Sequence, residues 1–284
     1  PSTIGKAASI DYYPKTSFIK FKNASMTVQD SVLKKLKIDR DWVLNKNTFY
    51  AYGELIDTSD VDTLYRNIYN PSTFTGIVFK ESLERYGTKV KTISRKKTFN
   101  KSYKKISNHL SKPLLHSAIN LMNESDNLTA ELFVKSIGAL DTLPGTWEVG
   151  LDSMKSFLAK EVLIDTSNIR LADGSGVSRY NLTSAAQLNS LLRWMYNSKY
   201  KDDFISTLPS GGQRNSTLEK RLTNEGDLVK AKTGGLSGVR NLAGYLKSRK
   251  YGDVAFSILM NGYTDSSSRY TRVHDQIVKT IIYD

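Results

Sequence analysis

Leu228-Val229-Lys230-Ala231-Lys232-Thr233-Gly234-Gly235 is the stretch that decides how the chain folds. Apolar and basic side chains alternate from Val229 to Lys232, the period of a strand with one buried face, and the paired glycines end it. Two more strand patterns follow at 242–247 and 254–260, with turn residues between them, and an amphipathic segment at about 268–282 closes the chain. Three sequential antiparallel strands flanked by helices predict an α+β layer architecture.

Upstream the helical period dominates. Trp147 to Lys160 is amphipathic, and Ser184 is placed to cap a helix carrying Leu188, Leu191, Leu192 and Met195. Leu128, Leu132, Phe133 and Ile137 share one helical face, Pro113 opens a helix reaching about Asn123, and 168–172 reads as a short strand. Phe74, Ile77, Val78, Phe79 and Leu83 predict a helix that stops at Gly87. Residues 17–22 and 48–55 read as strands, so the first sixty or so residues are β-rich. The expected division is 1–66, β-rich, and 67–284, α+β.

Composition narrows the chemistry. With 284 residues, 39% of them hydrophobic, the chain can bury a core. It has no cysteine, which excludes a disulfide scaffold, a thiolate zinc site and a cysteine nucleophile. Its three histidines, His109, His116 and His274, include no i, i+4 pair for zinc. No apolar run reaches the roughly 18 residues that span a bilayer. The net charge of +13 draws the protein to polyanions. Much of it sits at Lys89, Lys91, Arg95, Lys96, Lys97, Lys101, Lys104 and Lys105, read as a solvated hairpin or as an anion-binding face. Aromatics are not interleaved with these charges, which argues against nucleic acid as a partner.

Three polar segments stand out. Asn123-Glu124-Ser125-Asp126-Asn127 lies between two helical stretches, where Ser and Asn cap helices or project from a tight turn. Asp173-Gly174-Ser175-Gly176-Val177-Ser178-Arg179 has two glycines that permit a sharp turn with positive φ. Lys232-Thr233-Gly234-Gly235 sets an ammonium, a hydroxyl and bare N–H groups along one strand edge, suited to binding a carboxylate-ended peptide by β-augmentation. Taken singly, each also reads as ordinary capping or turn chemistry.

In combination they resemble something specific. Ser-x-Asn, about a hundred residues, then Lys-Thr-Gly on a strand is the order of the active-site serine penicillin-interacting enzymes. "LMNESDNLTAELFVKSIG", "LPGTWEVGLDSMKSFL", "LADGSGVSRYNL" and "VKAKTGGLSGVRNLAGYL" resemble the penicillin-binding protein 4 family of D-alanyl-D-alanine carboxypeptidase/endopeptidases. The N-terminal "AASIDYYPKTSFIKFKNASMT" resembles part of the β-rich domain this family inserts into its catalytic domain. The resemblance implies a serine β-lactamase/D,D-peptidase-like fold and cleavage of peptidoglycan stem peptides through an acyl-enzyme. It also implies β-lactams as ligands, no cofactor and no metal, and a periplasmic or cell-envelope location; the sequence leaves the oligomeric state open, a homo-oligomer included.

The resemblance implies catalytic roles for Ser125, as a proton relay, and for Lys232, whose charge sets the local potential and which holds Ser125. It gives Asn127 the substrate amide and Thr233 the terminal carboxylate. Gly234 and Gly235 line the same edge, with the Gly235 N–H in the oxyanion hole. Asp173, Gly174, Ser175, Gly176 and Arg179 are expected to support the site. Gly235 departs from the family, where Ser or Thr is common.

The family also needs a Ser-x-x-Lys nucleophile and base. Five such spacings occur: Ser17/Lys20, Ser31/Lys34, Ser94/Lys97, Ser102/Lys105 and Ser198/Lys201. None has the expected setting, and Ser17 and Lys20 fall in a predicted strand. In the family the nucleophile precedes the inserted domain, and this sequence, which starts at Pro1, resembles the family from inside that domain onward. The expectation is therefore a C-terminal portion whose nucleophile lies on an N-terminal segment of the same enzyme, which the chain needs as a partner. The alternatives are a non-catalytic module that binds cell-wall peptides or β-lactams, and, on charge alone, a nucleic-acid binder.

Overall fold

The computed structural model describes the chain except residues 31, 33, 96–101, 103, 142 and 143 and the side chain of Asp141. Ser31, Lys96, Lys97 and Lys101 therefore lie outside the described residues. The chain forms two compact units, Pro1–Asn108 and His109–Asp284.

In the first unit, β1 (Lys20–Val28) pairs parallel with β3 (Thr48–Ile56), and β2 (Lys37–Arg40) pairs antiparallel on the other side of β3. Ser25, Thr27, Phe49 and Ala51 are buried on one face. Helix α1 (Pro71–Arg85) has Pro71 in its first turn and Asn70 accepting from the Thr73 N–H, and Gly87 follows it with φ +84°. Ser17 lies in a turn outside β1 because its hydroxyl and N–H donate to Glu81. The expected basic hairpin does not form over residues 88–95, which are neither strand nor helix.

The second unit carries the α+β layers. Strands β4 (Val229–Leu236), β5 (Val239–Ser248) and β6 (Gly252–Asn261) form one antiparallel sheet in that order. Helix α7 (Ser267–Tyr283) covers one face, where Val229, Ala231, Leu242, Leu246, Phe256, Val278 and Ile282 share a core with Leu218 and Leu222. On the other face Tyr245 packs with Leu192 of α5 (Ala185–Tyr196), Phe204 and Ile205 of α6 (Lys201–Thr207), and Met122 of α2 (Leu114–Glu124). The Tyr245 hydroxyl donates to the Leu192 carbonyl at 2.7 Å, which supplies the partner a buried phenol needs.

Two helices complete the unit. α3 (Asn127–Asp141) and α4 (Trp147–Lys160) cross at close range. A Cβ on Gly150 would stand 2.0 Å from the Val134 carbonyl oxygen, and one on Gly145 2.1 Å from that of Lys135. Ser184 and Gln187 form a reciprocal capping box at the start of α5. The expected strand at 168–172 is reduced to a single bridge, Arg170 to Leu182, because only one residue there finds a backbone partner.

Candidate active site

Ser125 ends α2 in the left-handed conformation, φ 59° and ψ 49°, and α3 starts two residues later at Asn127. That tight turn leaves both side chains exposed. Asp126 holds it, accepting from the Leu128 and Thr129 N–H groups at 3.2 and 3.1 Å, so the acid in this segment is a helix cap.

Lys232 comes from the middle of β4. It shares a sheet face with Lys230, opposite the buried Val229 and Ala231. Its ammonium donates to Ser125 Oγ at 2.8 Å and to the Thr233 carbonyl at 2.9 Å. The two motifs meet although 107 residues separate them. Burial pushes the Lys232 ammonium down to about 8, so it is charged at neutral pH but close to its titration.

The free edge of β4 follows from hydrogen-bond parity. The Ala231 N–H points away from β5 and donates to the Pro209 carbonyl at 3.0 Å. The pairing with β5 is continuous from Val229 to Leu236, so alternation turns the N–H and C=O of Thr233 and Gly235 the same way. Beyond the Ser210–Lys230 bridge no described strand pairs with this edge. Gly234, in register with Asn241, faces inward; Gly235 is exposed.

The turn at 173–179 is held from within and from both sides. Asp173 accepts from the Gly176 and Ser178 N–H groups at 2.7 and 2.6 Å and from Asn181 Nδ2 at 2.8 Å, and Gly176 has φ +75°. Glu131, one turn along α3 from Asn127, accepts from the Gly174 and Ser175 N–H groups at 3.1 and 2.9 Å. Burial raises the Glu131 carboxyl, but the Ser175 hydroxyl and these N–H groups outweigh it and hold the group below its ordinary value. Gly174 lies so close to α3 that a Cβ would be 2.6 Å from Val134 Cγ2. On the other side Arg179 Nη2 donates to the Ser237 carbonyl at 2.7 Å, tying the turn to the β4–β5 hairpin.

Two contributors escaped the sequence reading. Glu131 carries a signal only in retrospect, as the one acid between Asn127 and Ile137. The other is the loop at 209–218: Pro209 anchors it to β4, and the Thr217 N–H donates to the Asn123 carbonyl at 3.0 Å, two residues before Ser125. It therefore ties the Ser125 turn to the strand that carries Lys232.

The Ser-x-x-Lys spacings have other occupations. Ser17 is engaged with Glu81, while Ser198 donates to the Met195 carbonyl and Lys201 lies 3.6 Å from the Tyr196 ring centroid. Ser102 and Lys105 stand in neither helix nor strand, and Ser31 and Lys97 lie outside the described residues. Among the described residues no group of three His, Asp or Glu side chains is placed to hold a metal. No described helix is long and apolar enough to cross a membrane.

A helix-flanked antiparallel sheet with a strand lysine bonded to a serine at a helix junction matches the motif order from which the resemblance was drawn. The chain belongs to the D-Ala-D-Ala carboxypeptidase 3 (S13) family, whose model matches residues 1–281. It is 30% identical over 273 residues to a D-alanyl-D-alanine carboxypeptidase of Actinomadura sp. (strain R39), covering 93% of this chain and 50% of that protein. It is 34% identical over 168 residues to the D-alanyl-D-alanine carboxypeptidase DacB of Haemophilus influenzae, covering 56% of this chain and 34% of that one. The chain thus spans half or less of the length of these relatives. The crystal structure of penicillin binding protein 4 from Haemophilus influenzae, complexed with a β-lactam, superposes with a TM-score of 0.74 at 22% identity, over 100% of this chain and 67% of that one. That likeness fixes the shared fold.

Proposed function

We propose that this chain is the C-terminal portion of a serine D,D-peptidase that cleaves peptidoglycan stem peptides ending in D-Ala-D-Ala. A serine hydroxyl attacks the penultimate D-Ala carbonyl, the terminal D-Ala leaves as an amine, and water hydrolyses the acyl ester. One observation carries the reading: the 2.8 Å contact between Lys232 Nζ and Ser125 Oγ. An ammonium donating to a hydroxyl leaves that hydroxyl's own proton free to travel to the leaving amine.

In this reading Ser125 relays the proton and Lys232 holds it and supplies positive potential. Asn127 orients the substrate amide, Thr233 binds the terminal carboxylate, and the outward Gly235 N–H forms half of the oxyanion hole. Residues 173–179 fix α3 against the β4–β5 hairpin. The nucleophile and its lysine base come from an upstream segment of the same enzyme, as the family resemblance implies; within the second unit the Ser-x-x-Lys pair, Ser198 and Lys201, is engaged with the Met195 carbonyl and the Tyr196 ring. β-Lactams, which mimic the acyl donor, are the expected covalent inhibitors, and the periplasm or cell envelope is the expected location. The +13 charge suits an anionic cell wall.

The intact gene product is the material for the test. It should hydrolyse a D-Ala-D-Ala peptide and gain the mass of penicillin on one serine. Lys232→Ala should slow acylation by about 100-fold or more, the scale of losing the proton transfer that it positions through Ser125. Binding of stem peptide without turnover or covalent label would instead identify a non-catalytic cell-wall module.

A further inference from the structure

Gly235 carries no side chain, and the space a side chain would fill there is occupied. A Cβ on Gly235 would lie 2.0 Å from Arg240 Nη1 and 3.1 Å from its Cζ. Gly235 and Arg240 are cross-strand partners on β4 and β5, so the guanidinium lies over the bare backbone of the free edge. Thr233, two residues before Gly235, presents its hydroxyl on the same sheet face.

The guanidinium is anchored but not neutralised. Nη2 donates to Ser267 Oγ, at the start of α7, at 2.9 Å, and Nε is buried without a hydrogen-bond partner. Among the described residues no carboxylate forms an ion pair with Arg240. A half-buried cation without a counter-ion is costly, and a planar guanidinium matches a carboxylate better than any other side chain does. Thr233 and Gly235 stand about 7 Å apart along the strand, a gap that one carboxylate can bridge with a hydrogen bond at each end.

We infer that Arg240 is a specificity-determining residue that, with the Thr233 hydroxyl, binds the free carboxylate of the substrate's last residue across the bare backbone of Gly235. The inference rests on the D,D-peptidase reading and adds to it which group reads the peptide's end. A side chain at Gly235 would push the guanidinium, the far end of a flexible side chain, off this position.

The test compares kcat/KM of the intact gene product for a peptide ending in D-Ala-D-Ala and for the same peptide amidated at its C-terminus. Arg240→Ala should shrink the preference for the free acid by about 10- to 100-fold, the worth of a charge-assisted hydrogen bond. Arg240→Lys, which keeps the charge and loses the fork, should fall between. Gly235→Ser combined with Arg240→Ala should recover part of the preference through the new hydroxyl in the vacated space. An unchanged acid-to-amide preference in Arg240→Ala, with or without a fall in total activity, overturns the inference and leaves Arg240 a packing contact between β5 and α7. Where Arg240→Ala does not fold, Arg240→Gln, which can still reach Ser267, makes the same comparison. A wild-type protein inactive on both peptides and unlabelled by penicillin overturns the D,D-peptidase reading itself.

Discussion

An ammonium held half-buried beside a hydroxyl carries a penalty that pH exposes. Lys232 titrates near 8 because burial disfavours its charge, against an ordinary value of 10.5. The native protein therefore releases this proton where the unfolded chain still holds it, and stability rises with pH between about 8 and 10.5. Activity moves the other way if the charged form holds Ser125. The pH profile of acylation should show a basic limb near 8, and Lys232→Arg, which stays charged, should move that limb upward at some cost in rate. A stopped-flow acylation series from pH 6 to 10 reads this directly; a limb that stays at 8 in Lys232→Arg belongs to another group. Lys230 makes the contrast on the same face. It pairs with Asp227 at 3.1 Å and donates to Ser210 Oγ at 2.7 Å, a closed cluster beside the open one.

At the scale of elements, the site depends on how closely α3 and α4 approach, since α3 carries both Asn127 and Glu131. Gly150 is the contact point. Gly150→Ala would drive a methyl group into the Val134 carbonyl and should cost about 1–3 kcal/mol, read as a lower denaturation midpoint at unchanged m-value. The elements legible in sequence were those with a sustained period. α4 runs from Trp147 to Lys160 as its pattern indicates, and β4 to β6 lie within a few residues of their expected bounds. β2 is four residues long and α6 seven, and α6 has no side-chain cap, so neither offered a pattern to read. The site was legible as motifs but not as geometry. Ser125 and Lys232 could be picked out by their neighbours in sequence, whereas Glu131 acts on Gly174 across 43 residues and only the folded chain joins them.

For the whole molecule, the decisive matter is which residues supply the nucleophile. Ser125 and Lys232 both belong to the second unit, and so does the free edge of β4. In the proposed reading, with the nucleophile on an upstream segment, a protein of residues 1–284 alone should leave a D-Ala-D-Ala peptide intact and gain no drug mass from penicillin, because acylation requires an activated hydroxyl. Adding the upstream segment, linked or as a separate chain, should restore labelling at a serine outside 1–284. Mass spectrometry of the treated protein decides it. A drug adduct on Ser94, Ser102 or Ser198 in the isolated chain would place the nucleophile within these residues.

The left-handed backbone at Ser125 narrows what drift can do at this position. Serine and threonine are interchangeable for many hydroxyl tasks, and a single base change in some codons converts one to the other. At φ 59° the exchange is not neutral, because a β-branched side chain is strained in that region. Ser125→Thr should keep a hydroxyl yet lower both the melting temperature and the acylation rate. Ser125→Gly should melt no lower than wild type and lose the rate alone. Backbone and chemistry together thus leave serine as the one hydroxyl residue this junction tolerates, so an inhibitor contacting Ser125 Oγ would meet few viable escape variants there.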